Sequence, residues 1–253
     1  MKRVLTAVAA IPLVVLITLL APRWFFAVAA GMAAALATEE FFGLAQKKGI
    51  GRPGRWFLGS SLVVTASFLD GPLTAMFAAT LSALALLTAA IFSLPVETAL
   101  GRVAVGLSGM LYCSVSLGFL VLMPPERTLL LFAIIWVGDA AAYYVGRALG
   151  QHLLAPKVSP KKTVEGAVAG MIGSLAVGTL AAVWVFHEPW MRLVGISAVT
   201  GVAGQLGDLA ESVLKRSAGV KDSSSILPGH GGILDRLDSL LFAAPVFYWL
   251  LSV

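Results

Sequence analysis

Carboxylates interrupt the apolar segments in the C-terminal half of the chain, at Asp139, Asp208 and Asp235. A charged side chain inside a membrane costs at least about 2.5–3.5 kcal/mol, so such acids need a partner, a cavity or an ion. An internal ion pair with Lys215 or Arg236 is one explanation. Three acids that converge from three helices beside a glycine-rich loop instead favour a hard cation, Mg²⁺ or Mn²⁺. Zinc fits poorly, because its sites use Cys or clustered His.

Helical spacing adds polar neighbours to these acids. Tyr143 and Arg147 follow Asp139 at intervals of four residues and share its helix face. Asp238 follows Asp235 by three residues at the start of the last helix and joins the same polar cluster. The helix before it carries one stripe, small at the membrane end and charged at the cytoplasmic end, formed by Gly201, Gly204, Asp208, Glu211, Ser212 and Lys215.

A basic segment, KVSPKKTVEG, precedes a helix that we expect to begin near Thr163. Thr163 can cap this helix, whose free N–H groups suit an anion, and Lys161 and Lys162 supply charges for phosphates. The alternative is a loop that binds lipid headgroups. The run PGHGG, 228–232, lets the backbone approach a phosphate closely. His230 is interpreted as a phosphate or leaving-group contact, or as a structural histidine.

Other polar residues are given no chemical role. Glu39 and Glu40, near the cytoplasmic end of the second helix, are explained by a structural role or by solvation. The loop KKGIGRPGR is interpreted as an orientation signal that contacts lipid headgroups. Cys113 is a packing residue, and a single cysteine excludes an internal disulfide.

The composition indicates that these residues belong to a membrane protein. Of 253 residues, 58% are hydrophobic and 12% are charged, whereas soluble domains carry about 25% charged residues. Long apolar segments separated by Pro and Gly predict an all-α polytopic fold with a cytoplasmic N-terminus. About nine spans are expected, near residues 4–21, 23–45, 56–70, 72–94, 100–123, 127–149, 164–186, 190–216 and 232–252. The first is interpreted as an uncleaved span rather than a signal peptide.

The basic residues predict the orientation of these spans. With the N-terminus in the cytoplasm, only three of the 18 Lys and Arg residues lie on the other side, namely Arg23, Arg127 and Arg192. This asymmetry supports a cytoplasmic N-terminus and an external C-terminus. It places the acids and lysines beside soluble metabolites, and it explains the net charge of +5 without a nucleic-acid partner. Small residues also recur every four positions and predict close helix packing, by default within the chain, at Gly166, Gly170, Ser174 and Gly178.

The segment SVLKRSAGVKDSSSILPGHGGILDRLDS, 212–239, strongly resembles the signature of phosphatidate cytidylyltransferases, also called CDP-diacylglycerol synthases. Each fixed position of that pattern is present, from the Ser and Lys-Arg pair through Lys-Asp and PGHGG to Asp-Arg and the final Asp. The segments GDAAAYYVGRALG and SPKKTVEG resemble upstream motifs of the same family. We expect one integral membrane domain, in which the likeness distinguishes a generic membrane part, residues 1–125, from a catalytic membrane part, residues 126–253.

The resemblance implies that CTP and phosphatidic acid are joined to give CDP-diacylglycerol and pyrophosphate. It implies Mg²⁺, with K⁺ as an assisting ion, and a polytopic membrane protein that forms a homodimer. The carboxylate chemistry leaves Mn²⁺ as an alternative, and the basic residues place the active site on the cytoplasmic side of the inner (plasma) membrane. The metal-coordinating aspartates of the family fall on Asp208 and Asp235. Together with the charges described above, the catalytic candidates are Asp208, Asp235, Asp238, Lys215, Arg216, Lys221, Asp222, His230 and Arg236. The substrate-binding candidates are Asp139, Tyr143, Ser159, Lys161, Lys162, Thr163, Glu165, Ser212, Gly229, Gly231 and Gly232.

Three alternative functions are considered for the same residues. An ion-coupled transporter also carries intramembrane acids and glycine-interrupted helices, but the polar residues here concentrate at one face and no internal repeat is evident. A CTP-dependent kinase or cytidylyltransferase for another lipid, such as an isoprenoid ether, would need nearly the same chemistry. A non-enzymatic scaffold leaves the acids unexplained.

Overall fold

The computed structural model describes residues 2–226 and 231–253, with the backbone alone for residues 2–10. The helices are α1 Lys2–Leu20, α2 Arg23–Lys47, α3 Leu58–Ser67, α4 Pro72–Ser93, α5 Val96–Gly109, α6 Ser116–Leu122, α7 Pro125–Leu149, α8 Val164–Ala181, α9 Trp190–Ser217 and α10 Leu234–Ser252. Turns of 3₁₀-helix flank α3, and π-helical turns follow α5 and α8, at Arg55–Phe57, Phe68–Asp70, Met110–Val115 and Ala182–Phe186. The π-helical turn after α5 continues directly into α6, so the two form one rod.

The observed helices coincide with the predicted spans because Pro and Gly mark their ends. Pro72 and Pro125 begin α4 and α7, where a missing N–H costs nothing, and Gly71 adopts a φ of 107° that favours glycine before α4. In the described part of the chain, six helical segments are long and apolar enough to cross a membrane: Arg23–Lys47, Pro72–Ser93, Val96–Leu122, Pro125–Leu149, Val164–Phe186 and Trp190–Ser217. The all-α, multi-pass character is therefore confirmed, while the count of nine spans and their orientation stay predictions.

A two-stranded antiparallel hairpin lies between α7 and α8. Its strands are β1 Leu153–Ala155 and β2 Ser159–Thr163, with Leu153 opposite Thr163. From the sequence, this segment is predicted to be a loop, so the hairpin was not expected. The hairpin fixes the backbone of both candidate lysines immediately before α8.

The chain divides into two compact units. The first comprises residues 1–124 and 214–237, and the second comprises residues 125–213 and 238–253. The first unit thus includes the end of α9, the following loop and the first turn of α10, although the sequence analysis grouped them with the C-terminal part. Its core contains large buried side chains from α2 to α5, among them Phe42, Phe57, Val64 and Leu86.

Small residues determine the packing of the second unit. A Cβ atom built on Gly166 would lie 2.7 Å from the carbonyl oxygen of Ala142, and one on Gly170 would lie 3.0 Å from that of Gly138. The backbones of α7 and α8 therefore approach too closely for larger residues. The predicted small-residue stripe packs within the chain, which confirms the default expectation.

Candidate active site

Asp235 lies in the first turn of α10 and is only 8% exposed. Its Oδ1 accepts a hydrogen bond from Lys215 Nζ at 2.5 Å, and its Oδ2 accepts from the backbone N–H groups of Ser223 at 3.0 Å and Gly232 at 2.7 Å. A carboxylate is favoured at this position because the N-terminus of a helix carries a partial positive charge. The buried charge is stable here because cationic and N–H donors surround it. The ion pair with Lys215, one of the explanations left open by the sequence, is present.

Asp208 in α9 is paired with a different lysine. Lys162 Nζ, on β2, lies 2.6 Å from Asp208 Oδ2. The side chains of Asp208 and Lys162 are 33% and 26% exposed, so water reaches this pair. Exposed ion pairs contribute only about 0–1 kcal/mol, so a phosphate or a cation could replace either partner at low cost.

At the start of α8, Thr163 makes the predicted contact and Glu165 makes contacts that the sequence did not predict. Thr163 Oγ1 accepts a hydrogen bond from Gly166 N at 3.1 Å, which confirms the predicted cap. Glu165 accepts from the backbone N–H groups of Gln151 and His152, and its Oε1 lies 2.6 Å from His152 Nδ1. Glu165 therefore links the start of α8 to the segment that directly follows α7. Its substrate-binding role stays a prediction.

Glu40 in α2 is a buried carboxylate, 4% exposed, that the sequence analysis did not include in the site. Its Oε1 accepts from Ser224 Oγ at 2.7 Å and Ile233 N at 3.0 Å, and its Oε2 accepts from Ser223 Oγ and Leu234 N, both at 2.8 Å. Of the two explanations offered for this residue, the structural role is confirmed. The sequence contains two adjacent acids within an apolar helix and, elsewhere, three consecutive serines. Because 183 residues separate Glu40 from Ser223, no local pattern indicates that they are in contact.

Ser223 connects the two buried carboxylates. Its Oγ lies 2.8 Å from Glu40 Oε2 and 2.9 Å from Asp235 Oδ2. A hydroxyl has one proton, so it can donate to only one of these oxygens at a time. Glu40, Ser223 and Asp235 therefore form one contiguous polar group in the first unit.

The other candidate residues have simpler surroundings. Arg216 donates to the carbonyl oxygen of Val220 at 3.0 Å and closes the end of α9. Tyr143 accepts from Arg147 at 3.3 Å, as expected for residues on one helix face. Asp238 Oδ1 accepts from Ser239 N at 2.8 Å. The exposed candidates are Asp139, Tyr143, Lys161, Lys221, Asp222 and Arg236, while Ser159 and Gly231 are half-buried and Ser212 and Gly232 are buried. Gly229 and His230 lie outside the described residues.

The oxygen donors fit the expected cation by their chemistry. Mg²⁺ takes one or two carboxylates and completes its shell with water and substrate phosphates, and Asp208 and Asp235 supply such oxygens. Among the residues that the structure describes, no group of three or more His, Cys, Asp or Glu side chains could hold an ion. An all-protein cage is thus not seen in that part of the chain. A site completed by substrate oxygens stays a prediction.

Comparisons with known proteins all show similarity to cytidylyltransferases. The family model described as "Cytidylyltransferase family" matches residues 1–253. The chain is 50% identical over 124 residues to the phosphatidate cytidylyltransferase of Synechocystis sp., covering 48% of this chain and 42% of the relative. It is 50% identical over 121 residues to the enzymes of that name from Bacillus subtilis and Staphylococcus saprophyticus, covering 47% of this chain and 45% and 46% of the relatives. The matched region therefore spans slightly less than half the length of each of these relatives.

Proposed function

The chain belongs to the cytidylyltransferase family, and from this premise we propose that it transfers the cytidylyl group of CTP to phosphatidic acid. The products would be CDP-diacylglycerol and pyrophosphate. The names of the relatives support this choice of substrates. The observation that carries the proposal is that both aspartates of the resemblance hold a lysine, Asp208 with Lys162 and Asp235 with Lys215.

The reaction explains why acids and lysines occur together. A phosphate oxygen of phosphatidic acid attacks the α-phosphorus of CTP, and the bond to the β-phosphate breaks, so that pyrophosphate leaves with the electron pair. Both reactants are anions, so catalysis depends on positioning and on neutralising charge. No side-chain nucleophile is needed, because the lipid phosphate is already ionised.

Each charged group has a proposed role. Lys162 and Lys215 would bind phosphate oxygens, and the exposed Lys221 and Arg236 would attract the incoming anions. Mg²⁺ held by Asp208 and Asp235 would neutralise phosphate charge and polarise the phosphorus. The support for this metal assignment is the carboxylate chemistry and the resemblance.

The location of the site follows from the two substrates. Phosphatidic acid lies in the bilayer and CTP lies in water, so the reaction must occur at a membrane surface. We propose that this surface is the cytoplasmic face of the inner membrane, with nine spans and a cytoplasmic N-terminus. The distribution of Lys and Arg supports this orientation. The homodimer implied by the resemblance is part of the same proposal.

A reconstituted assay tests this function. Purified protein in lipid-containing micelles is incubated with labelled CTP, phosphatidic acid and Mg²⁺, and the products are identified. CDP-diacylglycerol and pyrophosphate in equal amounts are expected. CDP together with a phosphorylated lipid would instead identify a CTP-dependent kinase, and turnover only with another lipid would identify a different cytidylyltransferase. Ion flux into proteoliposomes without CTP turnover would identify a transporter.

A further inference from the structure

We infer that Glu40 is a positioning residue for the reaction proposed above, although it lies in the part of the chain that the sequence left without a chemical role. It binds residues 223–224, which follow α9, and residues 233–234, where α10 begins, and it acts on Asp235 through Ser223. The expected effect on kcat rests on the proposed function. The expected effect on the backbone near Asp235 can be measured without it.

The contacts of Glu40 form a clamp with two matched halves. Oε1 receives the hydroxyl of Ser224 and the backbone N–H of Ile233, and Oε2 receives the hydroxyl of Ser223 and the backbone N–H of Leu234. Each oxygen therefore joins residues 223–224, the outgoing arm of the loop, to residues 231–234, the returning arm. A carboxylate suits this task because it accepts at both oxygens, whereas an amide accepts at only one.

The contacts of Glu40 stabilise the returning arm most. The first N–H groups of a helix have no partner within the helix, and Glu40 accepts two such groups where α10 begins, at Ile233 and Leu234. The negative charge also suits the positive end of the helix dipole. Loss of one oxygen would leave a buried N–H facing another donor, and the first turn, which carries Asp235, would shift.

The packing around Gly232 gives a second, steric observation. A Cβ atom at this position would collide with Ser223 Oγ and with Glu40 Oε2. The backbone of the returning arm thus lies directly against the clamp. The N–H of Gly232 also donates to Asp235 at 2.7 Å, so the clamp and the predicted metal ligand are held by the same backbone segment.

The expected effect is a misplaced Asp235 in a protein that still folds. Displacement of a catalytic group by about 1 Å can reduce turnover on the order of 100-fold. We expect Glu40→Gln to lower kcat by about 10- to 100-fold, with less than about threefold change in KM for CTP, because the lysines proposed to bind the phosphates are retained. Glu40→Asp keeps both oxygens and should recover part of the lost kcat.

The experiment combines kinetics with hydrogen–deuterium exchange of the 253-residue protein in detergent. Glu39→Gln is the matched control, because Glu39 is the neighbouring acid and pairs with Arg52 instead of the loop. In Glu40→Gln, faster exchange is expected in the peptide around Ile233 and Leu234, with α7 and α8 unchanged. The control should keep wild-type kcat and wild-type exchange.

The outcomes separate the inference from the proposed function. A wild-type protein without CTP:phosphatidate turnover would refute the function. An active wild-type protein with an equally active Glu40→Gln variant, or with loop exchange unchanged, would refute the role of Glu40. If Glu40→Gln does not fold, Ser224→Ala removes one donor to the clamp and should give a smaller kcat loss, about threefold, with the same local exchange. Unchanged kcat and exchange in that variant would also overturn the inference.

Discussion

Lys162 Nζ lies 2.6 Å from Asp208 Oδ2, so a lysine on a short hairpin forms an ion pair with an aspartate in α9. The sequence suggested Lys215 or Arg236 as partners for the intramembrane acids, because these bases are near in the chain. Lys215 does pair with Asp235, whereas the partner of Asp208 is a lysine that the hairpin provides before α8. Both members of the pair remain partly exposed, so the pair is open to exchange with a phosphate or a cation.

Asp208→Asn should abolish activity without unfolding the protein. The side chain of Asp208 is one third exposed, so loss of its ion pair should change stability by about 1 kcal/mol or less. Turnover should fall at least about 100-fold, because charge stabilisation at phosphorus is lost. The measurement is CTP turnover together with thermal unfolding in detergent. Lys47→Ala, at the exposed end of α2, is the control and should be nearly silent; normal turnover of Asp208→Asn would refute the metal assignment.

Asp235→Asn should also abolish activity, but with a clear loss of stability. The side chains of Asp235 and Lys215 are 5% and 12% exposed, and removing one partner of a buried pair costs about 3–5 kcal/mol. The residual exposure of Lys215 places the expected loss at or below the lower end of that range. Thermal unfolding of Asp235→Asn and Asp208→Asn under identical conditions tests the contrast. Equal melting temperatures would show that Asp235 is no more tightly integrated than Asp208.

Removal of divalent cations should stop the reaction reversibly. Chelation by EDTA is expected to reduce turnover to background, and Mg²⁺ or Mn²⁺ should restore it, because both are hard cations that suit carboxylate and phosphate oxygens. A thermal shift caused by CTP with Mg²⁺ should be present in the wild-type protein and lost in Asp208→Asn. Full turnover in excess EDTA would exclude the proposed Mg²⁺ role.

The sequence was sufficient to predict the helices and the cap at the start of α8. Apolar length, together with Pro and Gly at the ends, located the helical segments, and the local spacing of Thr163 and Gly166 was enough to predict the cap of α8. Such features depend on residues within a few positions of one another. The signature segment likewise predicts Asp235 as a site residue. The structure shows the hydrogen-bond donors around it, and its catalytic role stays a prediction.

The contacts that the sequence did not predict are all tertiary. Strand β2, SPKKT, lacks the apolar alternation that normally indicates a strand, and it is formed by pairing with β1. The clamp of Glu40 joins α2 to a loop 183 residues later, and no local pattern records this proximity. A charged residue within an apolar helix, such as Glu40, can therefore make contacts that only the tertiary structure reveals.

The glycine contacts between α7 and α8 give a further prediction for stability. Gly166→Ala would place a Cβ atom 2.7 Å from the backbone oxygen of Ala142, so the helices must separate, at a cost of about 1–3 kcal/mol. Gly195→Ala in α9 is the matched control, because no atom lies within 4 Å of the added methyl group apart from its chain neighbours and the backbone of its own helix. In the control, the better helix propensity of Ala should leave stability unchanged or raise it by up to about 1 kcal/mol. Thermal unfolding of both variants measures the difference, and equal melting temperatures would mean that α7 and α8 can separate without cost at this position.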